Sequence, residues 1–98
     1  MSTAAEKRHL DRLSKLGCML CSYNEWGADK EGQPVEIHHP KEWTGASQRA
    51  SDWLAIPLCH ACHQGPNGLH GLGKKGFYMR YKIQEHDLLA MTIQALSA

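Results

Sequence analysis

Everything this chain can fold into is limited first by two copies of one short motif, Cys18-Met19-Leu20-Cys21 and Cys59-His60-Ala61-Cys62. A two-residue spacer lets both thiolates of a pair reach one tetrahedral Zn²⁺ at ~2.3 Å, and two pairs complete four sulfur ligands with no position left open. A closed site of that kind is structural. It also answers a problem of size. A chain of 98 residues has room for one domain with a modest core, and metal binding in so small a domain becomes folding free energy. We therefore expect a structural Zn²⁺ held by Cys18, Cys21, Cys59 and Cys62.

Two other readings of the cysteines compete: four buried free thiols, or a thioredoxin-like redox pair. The redox motif needs one pair at a strand-to-helix junction of an α/β fold, whereas this chain has two pairs and no βαβ pattern. Disulfides are disfavoured because Met1-Ser2-Thr3-Ala4-Ala5-Glu6-Lys7 has no apolar signal-peptide core. No apolar run approaches the ~20 residues of a membrane span, so the expectation is a protein that avoids the membrane and stays in the cytoplasm where it was made.

Hydrophobic residues make up 42% of the chain and charged residues 21%, which excludes a disordered chain. A net charge of +1 does not announce a nucleic-acid binder. The distribution says more. Lys7, Arg8, Arg12 and Lys15 cluster near the start, and Lys74, Lys75, Arg80 and Lys82 alternate with Phe77, Tyr78 and Tyr81, with no acidic neighbour before Glu85. Such patches can meet phosphates; a solvated helix face accounts for the same charges equally well.

Along the chain, Thr3-x-x-Glu6 reads as a capping box, and Leu10, Leu13 and Leu16 recur at helical spacing before Gly17, so a helix is expected over 4–16. Residues 18–21 read as a tight turn and 22–33 as a loop or hairpin tip. Residues 34–39 form a strand candidate with Val35 and Ile37 on one face and Glu36 and His38 on the other. A loop over 40–51 leads to a second short strand over 52–58. The segment 64–76 carries five glycines and Pro66, too many for one long helix. Two helices close the chain: one over about 75–82, and one from near Gln84 with Leu88, Leu89, Thr92, Ala95 and Leu96 on one face. One domain spans 1–98, divided into an N-terminal helix (1–17), the knuckles and hairpin (18–63) and the Gly-rich segment with its closing helices (64–98).

With sulfur filling the structural site, His38, His39, His63 and His70 are left over. His38 and His39 are adjacent at a strand end and face opposite sides, so one can hold a metal while the other handles a proton. His63 follows the second knuckle, which fixes its position, and the backbone of the Gly-rich segment can bring His70 to the same point. Three imidazoles and water make an open divalent-metal site, and a neutral histidine beside it can take a proton from water because its pKa lies near 6.5. Any one of these histidines, taken singly, reads equally well as an exposed polar or packing residue.

The histidine pair at a strand end, a loop, and then Ile56-Pro57-Leu58-Cys59-x-x-Cys62-His63 resemble the HNH (His-Me finger, ββα-metal) endonucleases, whose zinc-bearing branch shares the closing Pro-Leu-Cys-x-x-Cys-His and an upstream Cys-x-x-Cys. Glu36-Ile37-His38-His39, Arg49-Ala50-Ser51 and Ile56-Pro57-Leu58-Cys59, with His70, look closest to the nuclease domain of the phage recombination-enhancement nucleases that depend on RecA. The likeness covers about residues 17–82. It implies an α+β fold: a small ββα-metal finger with a four-cysteine zinc site and flanking helices. It further implies His39 as general base, His38 and His63 as ligands of a catalytic divalent metal (Mg²⁺, Mn²⁺, Ni²⁺ or Zn²⁺), and His70 as a third ligand in the closer subfamily. DNA would be the substrate, in a bacterial or phage-infected cell, with a RecA filament as a partner, and Arg49, Lys74, Lys75 and Arg80 would grip the backbone.

The sequence departs from the family at one point. The middle Asn falls on Leu54, which cannot hydrogen-bond to brace the base-bearing loop; Asp52 or Ser51 stands close enough in sequence to do so instead. The activity implied is metal-dependent hydrolysis of DNA phosphodiester bonds. A different class, a zinc-stapled adaptor that binds DNA or protein without cutting, fits the Leu54 departure and the near-zero net charge.

Overall fold

The computed structural model describes residues 3–24, 34–40 and 51–97. Helix α1 spans Ala4–Leu16. Its start is the expected capping box: the Glu6 N–H donates to Thr3 Oγ1 at 3.1 Å and the Thr3 N–H donates to Glu6 Oε1 at 2.9 Å. Gly17 ends it with φ 81°, a conformation that favours glycine.

The tight turn expected at 18–21 is instead the opening of a second helix, α2, Met19–Asn24. Burial explains the difference. Cys18 and Leu20 are wholly buried and Met19 nearly so, and buried N–H and C=O groups must find partners. The helical bond from the Ser22 N–H to the Cys18 carbonyl, at 3.1 Å, supplies one.

Strand β1 is Glu36–His38 and strand β2 is Ile56–Leu58. They pair antiparallel with Glu36 opposite Leu58, Ile37 opposite Pro57 and His38 opposite Ile56. A two-stranded ribbon tolerates Pro57, whose missing N–H would break the ladder of a central strand. The second strand is shorter than the 52–58 expected, because Asp52–Leu54 forms a 3-10 turn started by Ser51, whose Oγ accepts from the Trp53 N–H at 3.2 Å.

Helix α3 is His60–Gln64, α4 is Leu69–Tyr81 and α5 is Glu85–Ser97. The Gly-rich stretch does forbid one long helix: α3 stops at Gln64, and α4 is itself broken at Gly73, where φ is 74°. Yet α4 begins six residues before the expected start at Lys75. Glycine explains this as well. A Cβ on Gly71 would lie 2.1 Å from the Gly65 carbonyl oxygen, so only glycine lets the first turn of α4 press against the end of α3. The Tyr81 hydroxyl clasps the same turn, donating to the Asn67 carbonyl at 2.6 Å. On α5, Leu88, Leu89 and Thr92 are buried, and Ala95 and Leu96 are half-buried on the expected face.

The described residues form a small α+β fold with one two-stranded sheet and five α-helices. Leu20, Ile56, Leu58, Phe77 and Leu88 lie at the centre of one apolar cluster that also takes in Cys18, Cys21 and Cys62. The cysteine site is therefore part of the core. No described helix is long and apolar enough to cross a membrane.

Candidate metal and catalytic site

The four cysteine sulfurs lie within 4.8 Å of one another, with Cys21 Sγ 3.9 Å from Cys59 Sγ and 3.7 Å from Cys62 Sγ. These separations are too long for a disulfide, which needs ~2.0 Å. They match the edge of a tetrahedron with ~2.3 Å metal–sulfur bonds, which is ~3.8 Å. The Cys21 N–H points at Cys18 Sγ, 3.4 Å away. Electrostatics fit the same donor set. Cys18 is held down at about 5, chiefly by its hydrogen bond with Cys62. Cys21 is pushed up to about 11 by burial and then by the charge on Cys18, and Cys62 is pushed up strongly by Cys18 and by burial. One thiolate suppresses its neighbours unless a cation sits among them, and a divalent metal reverses that penalty. The cysteines fit a metal.

The histidine cluster is built from three elements. His38 closes β1, His63 lies in α3 one residue past Cys62, and His70 stands in the first turn of α4. His38 Nδ1 lies 3.2 Å from His63 Nε2, and His70 Nε2 lies 3.0 Å from the same atom. Each of the outer nitrogens of His38 and His63 meets a carboxylate: His38 Nε2 faces Glu85 Oε2 at 2.6 Å, and His63 Nδ1 faces Glu36 Oε1 at 2.8 Å. An ionised carboxylate only accepts, so those nitrogens carry the protons. The lone pairs of His38 Nδ1 and His63 Nε2 are thereby left facing one another across a short gap, an arrangement that repels unless a cation lies between them. Donors at ~2.1 Å from a metal sit ~3.0 Å apart at right angles and ~3.4 Å apart at the tetrahedral angle. The observed spacing falls in that interval, so these three residues also fit a metal. His38 and His63 are buried and His70 is exposed, which leaves the cluster open on one side.

Glu36 holds more than His63. It also accepts from His60 Nδ1 at 2.7 Å and from Gln64 Nε2 at 2.9 Å. These bonds, His60 first and then His63 and Gln64, hold its carboxyl down at about 2. The period-2 alternation that puts Glu36 and His38 on one face of β1 was the signal for Glu36. Glu85 had no such signal, because it reaches His38 from the far end of the chain.

His39 is not one of the three converging histidines. Its Nε2–H donates to Asp52 Oδ1 at 2.8 Å, which leaves Nδ1 as the basic nitrogen. Asp52 is buried in the 3-10 turn, and His39 is partly exposed. Of the two residues expected to replace the missing Asn, it is Asp52 that reaches the histidine, while Ser51 caps the turn. Leu54 packs against the core. Behind this pair, His9 of α1 is buried against the Trp53 ring, with centroids 4.8 Å apart. Burial and then Arg12 lower its pKa, against the opposing pull of Asp52.

Of the residues expected to meet DNA, Lys74, Lys75 and Arg80 are exposed on α4 beyond the Gly73 break, with the Arg80 guanidinium 5.5 Å from the Tyr81 ring centroid. Arg49 lies outside the described residues. No match was found among curated proteins or among solved structures. A family model described as recombination enhancement, RecA-dependent nuclease does match, over residues 2–97. With nearly the whole chain covered, this protein belongs to the RecA-dependent nuclease family of recombination enhancement.

Proposed function

We propose that this chain is a metal-dependent DNA endonuclease of the HNH type, in which β1, β2 and α3 form the ββα-metal finger. The observation that carries the reading is the convergence of His38 Nδ1, His63 Nε2 and His70 Nε2, with two of the three rings aimed from behind by Glu85 and Glu36. Carboxylates placed behind metal-binding histidines set the tautomer and raise ligand basicity. A divalent ion held there, when bound, neutralises charge on a phosphate and on the departing 3′ oxygen.

The chain's own residues perform the proton work. His39, with Nε2–H committed to Asp52, takes a proton on Nδ1 from the attacking water, and the Asp52 carboxylate steadies the imidazolium that results. The new bond forms between the water oxygen and phosphorus as the bond from phosphorus to the 3′ oxygen breaks. The departing 3′ oxygen takes a proton from solvent water, and His39 later returns its own proton to solvent, so the products carry 5′-phosphate and 3′-hydroxyl ends. Lys74, Lys75, Arg80 and Arg49 meet backbone phosphates, contacts that position DNA without reading its sequence.

The test is cleavage of plasmid DNA, alone and with a RecA filament, under Mg²⁺, Mn²⁺, Ni²⁺ and Zn²⁺ in turn. Wild type should cut in the presence of the filament, and His39→Ala should cut ~10²–10⁴-fold more slowly, the usual contribution of a general base. Equal activity of the two proteins overturns the role of His39. No cleavage under any metal, with or without RecA, favours the adaptor instead.

A further inference from the structure

Beside the histidine cluster lies a cleft of about 350 Å³, lined by Leu69, Lys74, Lys75, Phe77, Tyr78, Gln84 and Glu85. None of the three histidines lines it, but two of its lining residues adjoin them. Leu69 immediately precedes His70, and Glu85 is the residue bonded to His38. Through Glu85 the cleft therefore adjoins the proposed reaction centre. The volume is at the small end of the ~300–1,000 Å³ usual for small-molecule clefts, room for one nucleotide and far too little for a duplex.

The lining has the chemistry of a nucleotide in separate parts. Lys74 and Lys75 offer two cations where α4 restarts after Gly73. One turn further on, Tyr78 also lines the cleft and is 45% exposed. Phe77 beneath is 1% exposed and anchors the wall in the core. Gln84, also in the lining, carries an amide that can both donate and accept. Cations that track a backbone together with an aromatic platform are how proteins hold single-stranded nucleic acid.

We infer that this cleft is a subsite for one unstacked nucleotide next to the scissile phosphate, with Tyr78 as its stacking platform and Lys74 and Lys75 on its phosphate, so that the chain prefers single-stranded or locally opened DNA to intact duplex. The inference rests on the nuclease reading for its place in the reaction, but binding tests it independently. A base paired within a duplex is stacked on both faces and cannot reach Tyr78; an unpaired base can.

The experiment uses the full chain with zinc bound and carrying His39→Ala, so that nothing is cut. Fluorescence anisotropy measures its affinity for a labelled oligo-dT and for a hairpin duplex of equal charge. Oligo-dT should bind tighter. Tyr78→Ala should weaken oligo-dT binding roughly tenfold, within the range for loss of one base–aromatic stack, with little change for the hairpin, and Tyr78→Phe should restore it. Lys74→Ala and Lys75→Ala should each flatten the salt dependence by about 0.7 in log–log slope. Zinc content and thermal melting of the variants check that the fold is intact. Unchanged oligo-dT affinity in Tyr78→Ala, or an equal loss on the hairpin, overturns the subsite whether or not the wild type cuts DNA. If Tyr78 behaves as expected while the wild type never cuts, the subsite stands and the nuclease reading alone fails.

Discussion

Replacing Glu85 by alanine separates the two jobs this residue performs, one for the fold and one for the histidine cluster. Glu85 and His38 are only 9% and 7% exposed and meet at 2.6 Å. Removing one member of a buried pair costs ~3–5 kcal/mol, because the other is left buried without its partner. A domain of this size is stable by only ~5–15 kcal/mol, so the variant should melt more than ~10 °C lower at ~4–8 °C per kcal/mol. The second effect is on metal. Without Glu85, His38 loses what fixes its ring and keeps its proton on Nε2, and such losses weaken metal binding ~10–100-fold, or ~1.4–2.7 kcal/mol. Glu85→Gln keeps an acceptor for the Nε2–H but not the charge, so it should recover much of the stability and only part of the affinity. Titration calorimetry with Mn²⁺ on zinc-loaded protein, paired with thermal melts, reads both. If Glu85→Ala loses stability but binds Mn²⁺ as the wild type does, Glu85 is a fold contact only and the orientation argument is wrong.

Cys59→Ser should abolish tight zinc binding and the cooperative melt together, since a structural zinc contributes ~10–16 kcal/mol; elemental analysis of wild type should find one ion that resists mild chelation and one that exchanges. Asp52→Asn should slow cleavage ~10²-fold or more by withdrawing charge from the His39 imidazolium, while Mn²⁺ affinity stays unchanged; a normal rate would remove Asp52 from the machinery. His9→Phe should keep the stack on Trp53 and reduce acid sensitivity. A histidine whose pKa is lowered on folding loses stability as pH falls below its unfolded value of about 6.5, and burial lowers His9 in this way. Urea midpoints at high and low pH should therefore show the variant gaining on wild type as the pH drops, and a pH-independent difference would refute it.

Much of the local structure was legible because it depends on neighbours in sequence. The Thr3–Glu6 box and Gly17 set both ends of α1, and the apolar face of α5 was readable from its period. The shift at Cys18–Cys21 from turn to helix was not readable, because it follows from burial against β2 and α5. The early start of α4 was missed for a related reason: glycine is a poor helix former in isolation, but Gly71 is the residue that permits close packing on α3.

The sequence by itself picked out the candidate donors. Four cysteines at paired spacing and a histidine doublet before a knuckle name the ligand types, because two-residue and adjacent spacings act within one turn of chain. Only the tertiary structure decided which carboxylates stand behind which rings: Glu36 behind His63 across the sheet-to-helix gap, Asp52 behind His39, and Glu85 behind His38 from 47 residues away. Those partners are chosen by burial and chain closure, which bring together charges that have no local reason to meet.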